Sequence, residues 1–238
     1  MKNITSKLLA IGLCVAVLTC GLTACKVDKK VNVNVNVNGE EVINTQLGVG
    51  AWEIAENTEI NSAHKAIFAE AVGQLDGYDP TPVALLATQT VSGTNYCFLC
   101  TSNIIAQHAM NAMRLTYINV DAQGKASFLG DETLVLPGTD NPDPNMVGGW
   151  SYAESIEITD EVRSAFDKAC ETLTGATYEP VAYIGSQLVS GTNHAILCKV
   201  SPSTSGLDSP TTLAIVYIYE DLQGNCEITE TTDIELGI

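Results

Sequence analysis

The chain has 238 residues, with 28 Asp and Glu against 11 Lys and Arg, and a formal net charge of −17. Such a balance argues against nucleic acid as a partner, because phosphate binding needs a basic face, and it suits a well-solvated acidic exterior. Of the 8 cysteines, those beyond residue 25 are Cys97, Cys100, Cys170, Cys198 and Cys226, an odd set without the regular spacing of a disulfide framework.

At the N-terminus, Lys2 and Lys7 flank the start of a nearly unbroken apolar run from Leu8 to Leu18, the pattern of a secretory signal peptide over residues 1–24. The run leads into Leu22-Thr23-Ala24-Cys25, which resembles the lipobox of bacterial lipoproteins. That resemblance implies cleavage before Cys25 and attachment of acyl chains, palmitate among them, to its sulfur and new amino terminus. An ordinary signal peptide with an incidental Cys is the alternative. All the acidic residues lie after Cys25, so the expected mature balance is 9 − 28 = −19. No second apolar run of spanning length follows, so the mature chain is expected to be anchored to a lipid membrane without crossing it. The expected location is the bacterial cell membrane or envelope, facing outside the cytoplasm.

Residues 31–38 alternate Val and Asn, a period-two strand signal of low complexity whose register would be poorly fixed. We read residues 25–46 as a membrane-proximal spacer with room for an edge strand. Beyond it the chain repeats itself. Trp52 and Trp150, Gln89 and Gln187, and Cys100 and Cys198 each stand 98 positions apart. The stretch 117–125 (YINVDAQGK) answers 217–225 (YIYEDLQGN) at a spacing of 100, so the second copy carries two extra residues. The expected domains are 47–138 and 146–238, joined by a linker over 139–145 in the proline-bearing stretch PGTDNPDPN.

Each copy has the same predicted elements. In the second, Thr159 caps a helix with an apolar stripe of Val162, Ala165, Phe166, Ala169, Cys170 and Leu173, stopped near Gly175. In the first, the stripe is His64, Ile67, Phe68, Ala71, Val72 and Leu75, ending at Gly77. Strands are predicted at about 82–91, 94–105, 113–121 and 125–136, and at about 180–189, 192–202, 211–221 and 225–236, linked by short turns as antiparallel meanders. One helix followed by four strands reads as α+β, with the helix stripe on one sheet face.

Candidate chemistry is sparse. In Cys97-Phe98-Leu99-Cys100 the two thiols would point to opposite faces of a strand, and the second copy has Ala195 in place of the first. We read them as small core side chains, with no metal site expected. His64, His108 and His194 do not recur between the copies, and no nucleophile elbow accompanies them. The chain is therefore expected not to be an enzyme, and no cofactor is implied.

Three features do recur. They are Val-Gly-Ala-Trp at 49–52 and Val-Gly-Gly-Trp at 147–150, Gln-x-Val-Ser-Gly-Thr-Asn at 89–95 and 187–193, and the tips Asp-Ala-Gln-Gly at 121–124 and Asp-Leu-Gln-Gly at 221–224. In this order they resemble the cystatins, and most closely the stefin-like branch, whose signature is Q-x-V-x-G between a helix and a second hairpin. The resemblance implies two tandem cystatin-like domains, each one helix packed on a four- to five-stranded antiparallel sheet. It also implies a reversible inhibitor of papain-like cysteine proteases acting as a monomer. The implied protease-binding residues are Gly50, Gln89, Thr90, Val91, Ser92 and Gly93 in the first copy. In the second they are Gly148, Gly149, Gln187, Leu188, Val189, Ser190 and Gly191. The loop is uncharged, so it desolvates cheaply in a cleft, and glycine allows close backbone approach. The tips depart from the family, which carries Pro-Trp or Leu-Pro-Gly there. The alternative is a non-inhibitory surface module of the same fold that binds another protein or ligand.

Overall fold

A computed structural model describes residues 36–37, 40–41, 50–73, 75, 79–103, 111–137, 148–203 and 210–237. The signal peptide, Cys25, the linker at 139–145, His108 and Gly77 lie outside the described residues, as does most of the spacer. The chain forms two compact units, Met1–Val42 and Ile43–Ile238. In the first, β1 (Asn36–Val37) pairs antiparallel with β2 (Glu40–Glu41).

Both repeats belong to the second unit. The first runs β3 (Trp52–Ile54), α1 (Ser62–Val72), β4 (Pro80–Val91), β5 (Gly93–Asn103), β6 (Asn111–Asp121) and β7 (Ala126–Thr133). The second runs β8 (Trp150–Tyr152), α2 (Asp160–Cys170), β9 (Ala176–Val189), β10 (Gly191–Pro202), β11 (Thr212–Asp221) and β12 (Cys226–Ile234). Each forms one five-stranded antiparallel sheet, in the orders β3-β4-β5-β6-β7 and β8-β9-β10-β11-β12.

The helix ends follow from their caps. The Thr159 side chain accepts from the Val162 amide at the start of α2, with Asp160 and Glu161 in the first turn where the helix dipole favours acids. At α1, Asn61 accepts from the His64 amide, and the His64 ring accepts from the Asn61 amide, a reciprocal box with imidazole in the place usually taken by Glu. The short strands β3 and β8 cover only the C-terminal parts of β4 and β9. Pro80, Pro82 and Pro180 sit in the parts that β3 and β8 leave uncovered, paired on one side only, the edge setting in which a strand tolerates proline.

The expected α+β pair of cystatin-like domains is overturned. The described residues are mostly antiparallel sheet, two five-stranded sheets with only two helices of 11 residues each. The two sheets bury one common core. Leu86, Cys97, Leu99, Leu115 and Tyr117 of the first pack in one cluster with Ile184, Ala195, Leu197, Ile215 and Tyr217 of the second. A sheet with one apolar face solvated would lose the transfer free energy of that face, about 1.5–3 kcal/mol for each large aliphatic or aromatic side chain. Here the inner faces cover each other. The opposite faces carry smaller clusters, Phe68 of α1 edge-on to Phe98 at 5.5 Å, and Phe166 of α2 beside Ile196, Cys198 and Ile218.

The segments after β7 and β12 contribute to the shared core. Leu134 and Leu136 are buried, and the Tyr152 hydroxyl on β8 donates to the Leu134 carbonyl at 2.6 Å. Ile234 and Leu236 pack at the corresponding place in the second copy. A further tie is the buried Lys199 on β10, whose ammonium donates to the Glu56 carbonyl of the first repeat at 2.9 Å and lies 3.2 Å from the Glu179 carboxylate.

Candidate functional site

The sheet registers bring the three recurring features to one end of each sheet. Trp52 pairs with Gln89, Val91 with Gly93, and Gly93 with Asp121. The glycine turn at Gly50, the β4–β5 hairpin and the β6–β7 tip are therefore neighbours along one edge. In the second copy Trp150 pairs with Gln187, Val189 with Gly191, and Gly191 with Asp221, which repeats the arrangement. Only Ser92 or Ser190 separates the paired residues at the apex of the first hairpin.

Several sequence-predicted site residues have jobs within the fold. The Gln89 side-chain amide donates to the Gly50 carbonyl at 2.7 Å, and its oxygen accepts from Asn95 at 2.7 Å. Gln187 donates to the Gly148 carbonyl at 2.7 Å and accepts from Asn193 at 2.6 Å. In both copies the motif's Gln and Asn form a clamp that fixes the upstream glycine turn against the hairpin. Gly50 and Gly148 take positive φ, +95° and +81°, and the Gly50 amide donates to the Thr90 carbonyl at 3.1 Å. Gly149 sits half-buried beside that turn.

Gly93 and Gly191 have φ of +130° and +137°. A Cβ would meet the Val120 carbonyl oxygen at 2.2 Å in the first copy and that of Glu220 at 2.3 Å in the second. The neighbouring strand requires these glycines, because a backbone atom cannot move away without breaking the ladder. Trp52 packs tilted on Tyr117 at 5.7 Å and Trp150 edge-on to Tyr217 at 5.5 Å, so both half-buried tryptophans lean against the shared core.

The residues facing solvent at this end are the remaining ones. Thr90, Val91 and Ser92 are exposed in the first copy, Leu188, Val189 and Ser190 in the second. The second tip holds the residue that sequence reasoning missed. Asp221 looks like an acidic tip, but its carboxylate turns back to accept from the amides of Gln223 at 2.8 Å and Asn225 at 2.9 Å and from the Asn225 side chain at 2.8 Å. Those bonds, the Asn225 side chain first, hold its pKa below the ordinary carboxylate value. Leu222 is thereby left outermost, 78% exposed. Asp121 accepts from the Gln123 and Lys125 amides in the same way and leaves Ala122 exposed. An Asp two residues before the amide it caps is a known turn-former, and that spacing was the available signal.

Of the described cysteines and histidines, Cys226 follows the second tip, its thiol 3.7 Å from the Gly224 carbonyl, and most others lie in the cores. Cys97 belongs to the core between the sheets and Cys100 to the core under α1. Burial pushes the Cys100 thiol up to about 12 and raises Cys97 and Cys198 further. His194 shares a hydrogen bond with the Tyr183 hydroxyl at 3.0 Å and stands 3.4 Å from Glu220. Among the described residues, no group of three or more His, Cys, Asp or Glu could hold a metal ion. No helix there is long and apolar enough to cross a membrane.

No family model matches the chain, and no curated protein matches it.

Proposed function

We propose that the chain is a lipid-anchored surface protein that reversibly inhibits papain-like cysteine proteases, using the hairpin end of a sheet as a wedge. The observation that carries this reading is the convergence of glycine turn, first hairpin and second tip along one edge of each sheet. A papain-like active site lies at the bottom of a cleft, and an occupant must be narrow, uncharged at its apex and stiff enough to resist cleavage. Val189-Ser190-Gly191 meets those needs. It carries no charge, its apex is one residue wide, and the Tyr219 hydroxyl donates to the Ser190 carbonyl at 2.8 Å. Such bracing lowers the ordering cost of binding. The chain is then a non-catalytic blocker that needs no cofactor.

A second reading is a surface module that binds another protein or ligand. It is favoured by the fold roles of Gln89, Gly93 and Asn95 and their counterparts, which account for the recurring motif without any protease. Steady-state assays separate the two. The chain from residue 26 onward is expected to inhibit papain saturably and to leave trypsin untouched. Failure of the folded chain to inhibit papain and related enzymes at micromolar concentration would sink the inhibitor reading.

A further inference from the structure

The two sheet ends share a framework and differ in what they present. Leu188, Val189 and Leu222 are 74%, 45% and 78% exposed, three large apolar side chains at one end. The register sets the turn bearing Leu188 and Val189 beside the tip bearing Leu222, since Val189 pairs with Gly191 and Gly191 with Asp221, and as strand neighbours Leu188 and Val189 point to opposite faces of the sheet. At the matching places the first repeat has Thr90, Val91 and Ala122, of which only Val91 is a large apolar side chain, 38% exposed. In a chain of net charge −17, so much exposed apolar surface at one sheet end has a solvation cost that a partner would remove.

One further difference points the same way. Tyr219 braces the Ser190 turn from the neighbouring strand, whereas its counterpart Asn119 donates to Asn95 at 2.8 Å and leaves Ser92 without that brace. We infer that only the second repeat's end docks, with Leu188, Val189 and Leu222 as its anchors, so that each chain occupies one protease cleft while the first repeat serves as scaffold. This inference rests on the inhibitor reading above and adds which end acts and in what stoichiometry.

The test uses papain of known active-site concentration and the chain from residue 26 onward. Titration is expected to end at one papain per chain. The double variant Leu188→Asp with Leu222→Asp should raise the inhibition constant at least about 30-fold, the scale of a lost interface hot spot. The mirror variant Ala122→Asp, at the place that Leu222 takes in the second copy, should stay within about threefold of the parent. All three positions are solvent-facing, and circular dichroism and unfolding midpoint should confirm that both variants fold. Two papains per chain, or equal loss from the two variants, would overturn the inference and leave the inhibitor reading intact. A parent chain that does not inhibit at all would overturn both.

Discussion

At the hairpin end of the first repeat, Ser92 is flanked by Thr90 and Val91, with Ala122 at the neighbouring tip; in the second repeat the same places hold Leu188, Val189 and Leu222. Beneath this difference the two ends are alike. Gln89 and Gln187 reach the same carbonyl, Asn95 and Asn193 hold them there, Gly93 and Gly191 pass under the same strand, and Asp121 and Asp221 close the same turn. The residues the copies share build the end, and the residues that differ face solvent. A motif that recurs within one chain can therefore mark a framework, with the specificity carried by the positions between.

The largest way to break this comparison is to separate the copies. Residues 146–238 alone would expose the inner face of Ile184, Leu197, Ile215 and Tyr217. We expect that fragment to lose cooperative monomeric folding, read by thermal unfolding and sedimentation. A monomeric fragment with a sharp transition would show that the repeats do not need one core.

Next in size are the paired glycines. Gly93→Ala and Gly191→Ala should each cost about 3 kcal/mol, since each combines a positive φ with a backbone clash, while Leu188→Thr should stay within about 0.5 kcal/mol. Urea unfolding of the three variants checks this, and a large effect at Leu188 would mean that it packs instead of facing solvent. The clamps come below that. Gln89→Ala and Gln187→Ala each remove two hydrogen bonds at the glycine turn, with an expected loss of about 1–2 kcal/mol that is alike in the two copies.

The smallest effect concerns acid. The folded-state pKa of Asp221 is depressed, so its contribution to the β11–β12 turn is present above the unfolded value of 3.8 and is lost as pH falls through the lower folded value. Amide exchange at Gln223 and Asn225 should therefore lose protection as pH falls from 3.8 to about 2, after correction for intrinsic rates. Flat protection across that range would show that the carboxylate does not hold the turn.

The elements were legible in the sequence because their signals are local. Turn glycines and the Thr159 cap act over a few residues, each copy 98 to 100 positions on repeats the same signals, and the strands fall close to their predicted places. The joining of the two sheets was not legible. Cys97-Phe98-Leu99-Cys100 and Ala195-Ile196-Leu197-Cys198 are buried on both faces, so the run says that both faces are covered and does not say by what. Register shifts near Ala84 and Ala87 further blur the period of β4. At the site, residue types gave the hairpin but misjudged the tip. Asp221 is the charged residue of the tip, and only the direction of its carboxylate reveals that Leu222 faces solvent there.

The central claim is that a hairpin end of this chain fills a papain-like cleft down to the catalytic thiol. Alkylation of papain's active-site cysteine by iodoacetamide, followed by intact mass in the presence of a stoichiometric amount of the chain, tests it most directly. The account predicts that the thiol is protected and that the Val189–Ser190–Gly191 stretch stays uncleaved. Alkylation at the rate of free papain, or cleavage within that stretch, would contradict it.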